Sequence, residues 1–397
     1  MTPHRTGAAP RRPGHGPLPV VLAGGRGHGH WHLANLRRLQ RAGLARLAGV
    51  CDLTPLSPAE LRGFDRVEQS PDLGALLDST GAVAAVLCTP IHTHARLART
   101  ATDRGVHLLL EKPPAPSYAD FLRITDAVAA SGVACQIGFQ SLGSAAVPAI
   151  RHLVADGAIG EVTGVGAAGA WARDEAYYRR APWAGRRRLD GADVVDGVLT
   201  NPLAHAVATA LALGGSGRGD DVARVETELF RANPIEADDT SCVRITTTGG
   251  LRTTVAATLC AERPGEPYVV VSGSHGRVTF WYKQDRVLLQ RAGHGPQETG
   301  HTRTDLLENL LAHLTTGTPL LVPPAATGAF MRVVEAVRRA PEPTPLPPTA
   351  WHHGPGQHAP RRIVPGIDAL VDTCADTLGL FSERGARWAH ATGAVTP

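Results

Sequence analysis

The sequence predicts an α/β N-terminal domain on a parallel, doubly wound sheet, followed by an α+β domain with a large, mostly antiparallel open sheet. Up to about residue 140, short apolar runs alternate with segments of helical spacing, the mark of buried strands joined by crossover helices. Beyond about residue 150 the strand candidates follow one another without helices between them, and many alternate apolar with polar residues. A chain of 397 residues also exceeds what a single core usually fills.

The elements read in order. Leu18-Pro19-Val20-Val21-Leu22-Ala23 is a strand that runs into a glycine cluster, and Trp31-His32-Leu33-Ala34-Asn35-Leu36 has helical spacing. Further strands are predicted at 47–51, ending before Asp52, at 82–88, ending before Thr89-Pro90, at 106–110, ending at Glu111-Lys112-Pro113-Pro114, and at 133–137, ending at Gly138. In the second half, strands are predicted at 161–171, 223–231, 240–247, 251–260, 268–272, 277–281 and 286–290, with turns at Thr248-Gly249-Gly250 and Ser274-His275-Gly276. Helical spacing returns at 302–316 and 326–339, and proline-rich sequence from 341 to about 362 reads as an extended loop. The expected division is a disordered tail over 1–17, a first domain over 18–140, a second over 141–340, and a loop with a helical segment over 341–397 that packs back on the domains.

Composition narrows the function classes. Hydrophobic residues make up 43% and charged residues 19%, as in a globular enzyme rather than a disordered chain. The formal net charge of +4 comes with short arginine runs and no recognition motif, so no nucleic-acid partner is expected. No stretch is apolar for long enough to span a membrane or to act as a signal peptide, and a cytoplasmic protein is expected. Six cysteines stand singly, without the paired spacing of a zinc site or a disulfide framework, so reduced thiols and no metal are expected.

Gly24-Gly25-Arg26-Gly27-His28-Gly29 lies between the first strand and the first helix. Backbone N–H groups and a helix dipole at such a turn can hold a pyrophosphate, and glycine keeps a Cβ from blocking the approach. A G-x-G-x-x-G frame starting at Gly24 puts Arg26 at the second glycine, which leaves 24, 27 and 29 as the candidate functional glycines. Asp52 closes the second strand about twenty residues on, where an acid hydrogen-bonds ribose hydroxyls and its charge favours NAD over NADP. Arg26 offsets that preference and keeps NADP open. The alternatives are a turn without chemical use and an aspartate that caps a helix.

Thr89-Pro90 with His92 and His94, then Glu111-Lys112-Pro113, then His205 in an apolar helix together resemble the Gfo/Idh/MocA family, the glucose-fructose oxidoreductase and inositol dehydrogenase group. The resemblance covers nearly the whole domain pair. It implies a Rossmann domain binding NAD, with Thr89, Pro90, His94, Glu111, Lys112 and Gln140 beside the cofactor. It also implies a catalytic Lys112 and His205 and association into a homodimer or homotetramer through the second sheet. Three features depart from the family pattern: the glycine spacing, Asn201 where an acid usually precedes the histidine, and no arginine soon after Gly138-Phe139-Gln140.

The implied chemistry is hydride transfer between nicotinamide and a hydroxyl or keto carbon of a sugar, polyol or cyclitol. His205 is the candidate base, because a neutral imidazole accepts a proton near neutral pH. Lys112 donates to the reacting oxygen with Glu111 positioning it, and Asn201 orients the imidazole or a substrate hydroxyl. Trp171, Arg173, Tyr178 and Trp183, within an aromatic and arginine-rich stretch of an aromatic-poor chain, are candidate walls of a sugar pocket, with Asp193 and Asp196 as further polar candidates. Bland alternatives stand beside these: a solvated Lys112, a core His205, an aromatic stretch that packs a loop, and a His94 that caps or packs its helix, the reading favoured for that residue. Two other functions stay open, an NAD-dependent glycosidase with transient redox and a non-catalytic NAD-binding regulator.

Overall fold

The computed structural model describes residues 8–12, 14 and 16–389. They form two compact units, one running to Phe139 and taking in Thr304–Pro324, the other made of Gln140–Arg303 and the chain from Ala325 onward.

The first unit runs β1 (Leu18–Ala23), α1 (Gly29–Arg41), β2 (Ala45–Cys51), β3 (Glu68–Ser70), α2 (Leu73–Thr80), β4 (Ala84–Leu87), α3 (His94–Thr102), β5 (His107–Leu110), α4 (Tyr118–Ser131) and β6 (Cys135–Ile137). All strand pairs are parallel, in the order β3-β2-β1-β4-β5-β6. The order reverses between β1 and β4, and the crevice at such a switch point is where open α/β sheets bind ligands. Caps explain the helix limits: Asp72 accepts from the Ala75 N–H before α2, Ser117 from the Asp120 N–H before α4, and Gly81 and Gly132 end these helices at positive φ.

The predicted disordered tail differs in part. Residues 1–7, 13 and 15 lie outside the described residues, but the Arg11 guanidinium donates to the carbonyls of Leu77, Ala82 and Arg104, and Ala8 and Arg11 bond the backbone at Asp103 and Gly105. Three carbonyls that end other elements thereby gain a donor, which fixes this stretch.

The second unit contains α5 (Ala146–Ala155), β7 (Val162–Ala170), α6 (Glu175–Tyr178), β8 (Arg188–Leu189), β9 (Ala192–Asp193), α7 (Ala204–Leu213), β10 (Val222–Arg231), β11 (Thr240–Thr247), β12 (Arg252–Thr258), β13 (Tyr268–Gly273), β14 (Gly276–Trp281), β15 (Arg286–Arg291) and β16 (Gln297–Gly300). After α8 (Leu306–Thr316), which belongs to the first unit, come α9 (Gly328–Arg339), β17 (Thr344–Pro345), β18 (His352–Gly354), β19 (Arg361–Ile363) and α10 (Ile367–Thr377). The nine-stranded sheet has the order β16-β15-β14-β13-β7-β12-β11-β10-β17 and is antiparallel except for β7 with β12 and β10 with β17.

One boundary and one sheet face differ from the sequence reading. The chain over 304–324 sits with the first unit, where the Gln136 side chain on β6 bonds Asn309 of α8 and accepts from the Val322 N–H, so a contiguous domain over 141–340 does not describe it. Over β7 and β12 the sheet face expected to meet another subunit is covered by the chain's own α10. Side chains alternate along a strand. Gly164, Gly166 and Ala168 of β7 point to that side, and a Cβ at Gly166 would meet the Ala375 carbonyl of α10. Phe230, Cys242, Ala256, Val371, Cys374 and Phe381 complete this buried cluster.

Candidate active site

In the first unit the glycine turn is shaped by contact. Gly24 has φ +88°, and a Cβ there would strike the Cys88 carbonyl at the end of β4. Gly27 has φ +58°, and a Cβ on Gly29 would strike the Gly24 carbonyl. α1 then starts with no acidic residue in its first turn and no side-chain cap, leaving the positive end of its dipole to an anion. Asp52, just past β2, accepts from the Gly25 N–H at 3.0 Å. Arg26 lies 3.3 Å from the same carboxylate and donates to the carbonyls of Thr54 and Pro55, tying the turn to the loop after β2.

Thr89 and Pro90 follow β4 across the switch point. His94 is fully buried, with Nε2 2.8 Å from the Thr89 carbonyl oxygen and Nδ1 3.0 Å from that of Pro113. Burial pushes its pKa down against the opposing pull of these two carbonyls, and the ring joins the two loops. Glu111 ends β5 and is buried. His32 Nε2 lies 3.0 Å from its Oε1 and His28 Nε2 3.7 Å. Burial works to raise the Glu111 pKa, but the imidazoles of His28 and His32 hold it well below the usual carboxylate range. Gly138 makes room for this carboxylate, since a Cβ there would lie 2.8 Å from Oε1. The next residue, Lys112, is half-buried and forms a cis peptide with Pro113. His28, His32 and Glu111 bring ligand-type atoms within 4.8 Å of one another, a grouping the sequence reading passed over when it named no metal.

In the second unit every residue of α7 is buried except His205. Its Nδ1 lies 3.2 Å from Ser141 Oγ, which accepts from the Thr209 hydroxyl at 2.9 Å, and its ring lies 6.4 Å from that of Tyr282. An Nδ1–H donated to Ser141 leaves Nε2 with a lone pair, the tautomer a base requires. Asn201, one turn earlier, gives its amide to Asp196 Oδ1 at 2.6 Å, and Asp196 also accepts from the Gly185 N–H and pairs with Arg180 at 3.1 Å. Burial raises the Asp196 pKa against the opposing pull of Arg180 and Asn201. This explains the asparagine: an acid at 201 would face a second buried carboxylate. Gln140 has a side-chain nitrogen with no hydrogen-bond partner among the described residues.

The aromatic stretch forms a stack. Arg173 lies 4.9 Å from the Trp171 ring and 5.0 Å from that of Tyr177, and Arg180 lies 3.7 Å from Tyr177 and 4.6 Å from Trp183. Tyr178, singled out from the sequence, meets the stack edge-on, its ring 5.2 Å from that of Tyr177. Its ring also packs on Gly185, and its hydroxyl is buried with no partner among the described residues. Sequence reasoning also missed His32, Ser141 and Tyr282. Tyr282 carried a faint signal as one of five tyrosines, whereas an isolated serine after Gln140 carried none.

A glycine turn at the switch point of a doubly wound sheet and an acid after β2 define the class of dinucleotide-binding domains, and a histidine that is not buried stands on a separate α+β unit. The family model described as the oxidoreductase family with an NAD-binding Rossmann fold matches residues 19–139, and the C-terminal domain model of the same family matches 147–279. The chain belongs to the Gfo/Idh/MocA family and carries its NAD-binding domain. It is similar to an inositol 2-dehydrogenase of Streptomyces avermitilis, 32% identical over 34% of this chain and 40% of that protein. A levoglucosan dehydrogenase of Pseudarthrobacter phenanthrenivorans is 22% identical over 59% of this chain and 65% of its own length. The matches thus span less than two thirds of these relatives. Among solved structures, the WlbA dehydrogenase of Bordetella pertussis in complex with NADH and UDP-GlcNAcA shares the fold, with TM-score 0.67, 22% identity, and 81% of this chain and 96% of that one covered. Among the described residues no helix is long and apolar enough to cross a membrane.

Proposed function

We propose that this protein oxidises a ring or chain hydroxyl of a sugar, polyol or cyclitol, or reduces the matching ketone, with NAD as redox partner. The observation that carries the proposal is His205, the one side chain of α7 that is not buried, with Nδ1 3.2 Å from the Ser141 hydroxyl. The names of relatives point the same way, since inositol, levoglucosan and UDP-N-acetylglucosamine all offer secondary ring hydroxyls.

When bound, NAD supplies the hydride acceptor. The glycine turn and the start of α1 hold its pyrophosphate, and Asp52 accepts from the ribose hydroxyls while disfavouring a 2′-phosphate. His205 Nε2 takes the hydroxyl proton, and the Lys112 ammonium stabilises negative charge on the oxygen as the carbonyl forms. The Ser141 hydroxyl holds Nδ1 of His205 without adding charge. Six free cysteines fit a reducing compartment such as the cytoplasm.

The test is a panel of sugars, polyols, cyclitols and their glycosides incubated with purified protein and either NAD or NADP, read by nicotinamide fluorescence. Stoichiometric NADH from a free hydroxyl compound, with NAD preferred, is the expected result. Glycoside cleavage without net NADH would replace this reading with that of a glycosidase using transient redox, and NAD binding without turnover of any member with that of a regulator.

A further inference from the structure

The residues around His205 close into a ring of contacts within the second unit. Tyr282 faces the imidazole, and its neighbour Lys283 lies 5.3 Å from the Trp171 ring. Arg173, Tyr177 and Arg180 continue the stack, and Arg180 reaches Asp196, which holds Asn201 one helical turn before His205.

The charges of this ring do not cancel. Lys283 is matched by Glu266 at 3.2 Å and Arg180 by Asp196. Arg173 has no carboxylate within ion-pair distance among the described residues; it donates to the Ala172 carbonyl at 2.9 Å and to the Tyr177 hydroxyl, neither of which carries charge. The two rings that flank it hold the guanidinium in place by cation–π contact, which does not neutralise it. A guanidinium has five donors in a fixed fork and sheds water more readily than an ammonium, which suits it to carboxylate and phosphate.

We infer that the substrate carries an anionic group, a carboxylate or a phosphate, which Arg173 receives while Trp171 and Tyr177 cover the sugar's apolar face. This rests on the assignment of His205 as the base, and it adds a class: acidic or phosphorylated sugars ahead of neutral ones. Arg173 acts here in binding and takes no proton in the reaction.

The experiment compares matched pairs with the full-length protein in the presence of NAD: D-glucose against D-glucuronate and D-glucose 6-phosphate, and myo-inositol against its monophosphates. kcat/KM is read from NADH formation and Kd from calorimetry. At least one anionic member is expected to exceed its neutral counterpart about tenfold in one of these readouts, the strength of a charge-assisted contact. Raising ionic strength should narrow the gap. Arg173→Met, which keeps the stem and removes the charge, should erase it, and Arg173→Lys should restore part. The carboxylate and phosphate arms tell the two sources apart. Equal or weaker binding of every anionic member, or an Arg173→Met loss the same for both partners of a pair, overturns the inference. If calorimetry shows the preference but no member yields NADH, the redox reading fails while this inference stands.

Discussion

The two units hold their candidate site residues by different means. In the first, backbone geometry does most of the work: the Cys88 carbonyl requires glycine at 24, the Gly24 carbonyl requires it at 29, and the ends of β2, β4 and β5 deliver Asp52, Thr89 and Glu111-Lys112 to one edge of the sheet. In the second, side chains hold side chains. Asn201 is held by Asp196, Asp196 by Arg180 and Gly185, and His205 lies against Ser141. A frame set by backbone tolerates few sequences and is shared across a family, whereas a frame set by side chains can change by paired substitution, as the asparagine beside a buried aspartate illustrates.

The largest effects should come from the two reacting groups, one in each unit. Lys112→Ala and His205→Ala are each expected to lower kcat by about 10²- to 10⁴-fold, the usual worth of general acid–base help, with NADH affinity by fluorescence titration little changed. Wild-type rates in either variant would remove that residue from the mechanism, and lost NADH binding would give it a role in the cofactor site instead.

A smaller effect sharpens the contrast on the second side. Asn201→Asp restores the acid common in the family but sets it against Asp196, whose pKa burial already raises. One of the two carboxyls must then keep its proton in the folded protein, so its folded pKa lies above the unfolded value. The stability it contributes is present at low pH and is lost as pH rises through that folded pKa. The variant is expected to fall about tenfold below the wild type in kcat/KM at neutral pH, and that ratio, compared at equal pH, is expected to narrow as pH falls toward the carboxylate range. A pH profile matching the wild type would show that Asp196 does not dictate the asparagine.

How much could be read in advance follows the same divide. Alternating apolar runs gave the six-stranded sheet apart from its short edge β3, and the glycine cluster marked its own turn, because these features repeat over neighbouring residues. The return of 304–324 to the first unit was hidden, since a contact between Gln136 and Asn309 leaves no local trace. The cover of the second sheet by α10 did leave one, in the small residues at 164, 166 and 168 that admit a close helix, but alternation alone does not say whether the same chain or another supplies it. His205 was found through the family resemblance, at its place after Asn201 in an apolar helix, while Ser141, 3.2 Å from its ring nitrogen, stands in no pattern.

The central claim is that a hydride leaves a substrate carbon for nicotinamide while His205 takes the proton. A substrate from the panel, labelled with deuterium at the oxidised carbon, tests this by mass spectrometry of the product cofactor. The account predicts one deuterium on the NADH formed. Label lost to water, or left on the sugar while NADH accumulates, would contradict it.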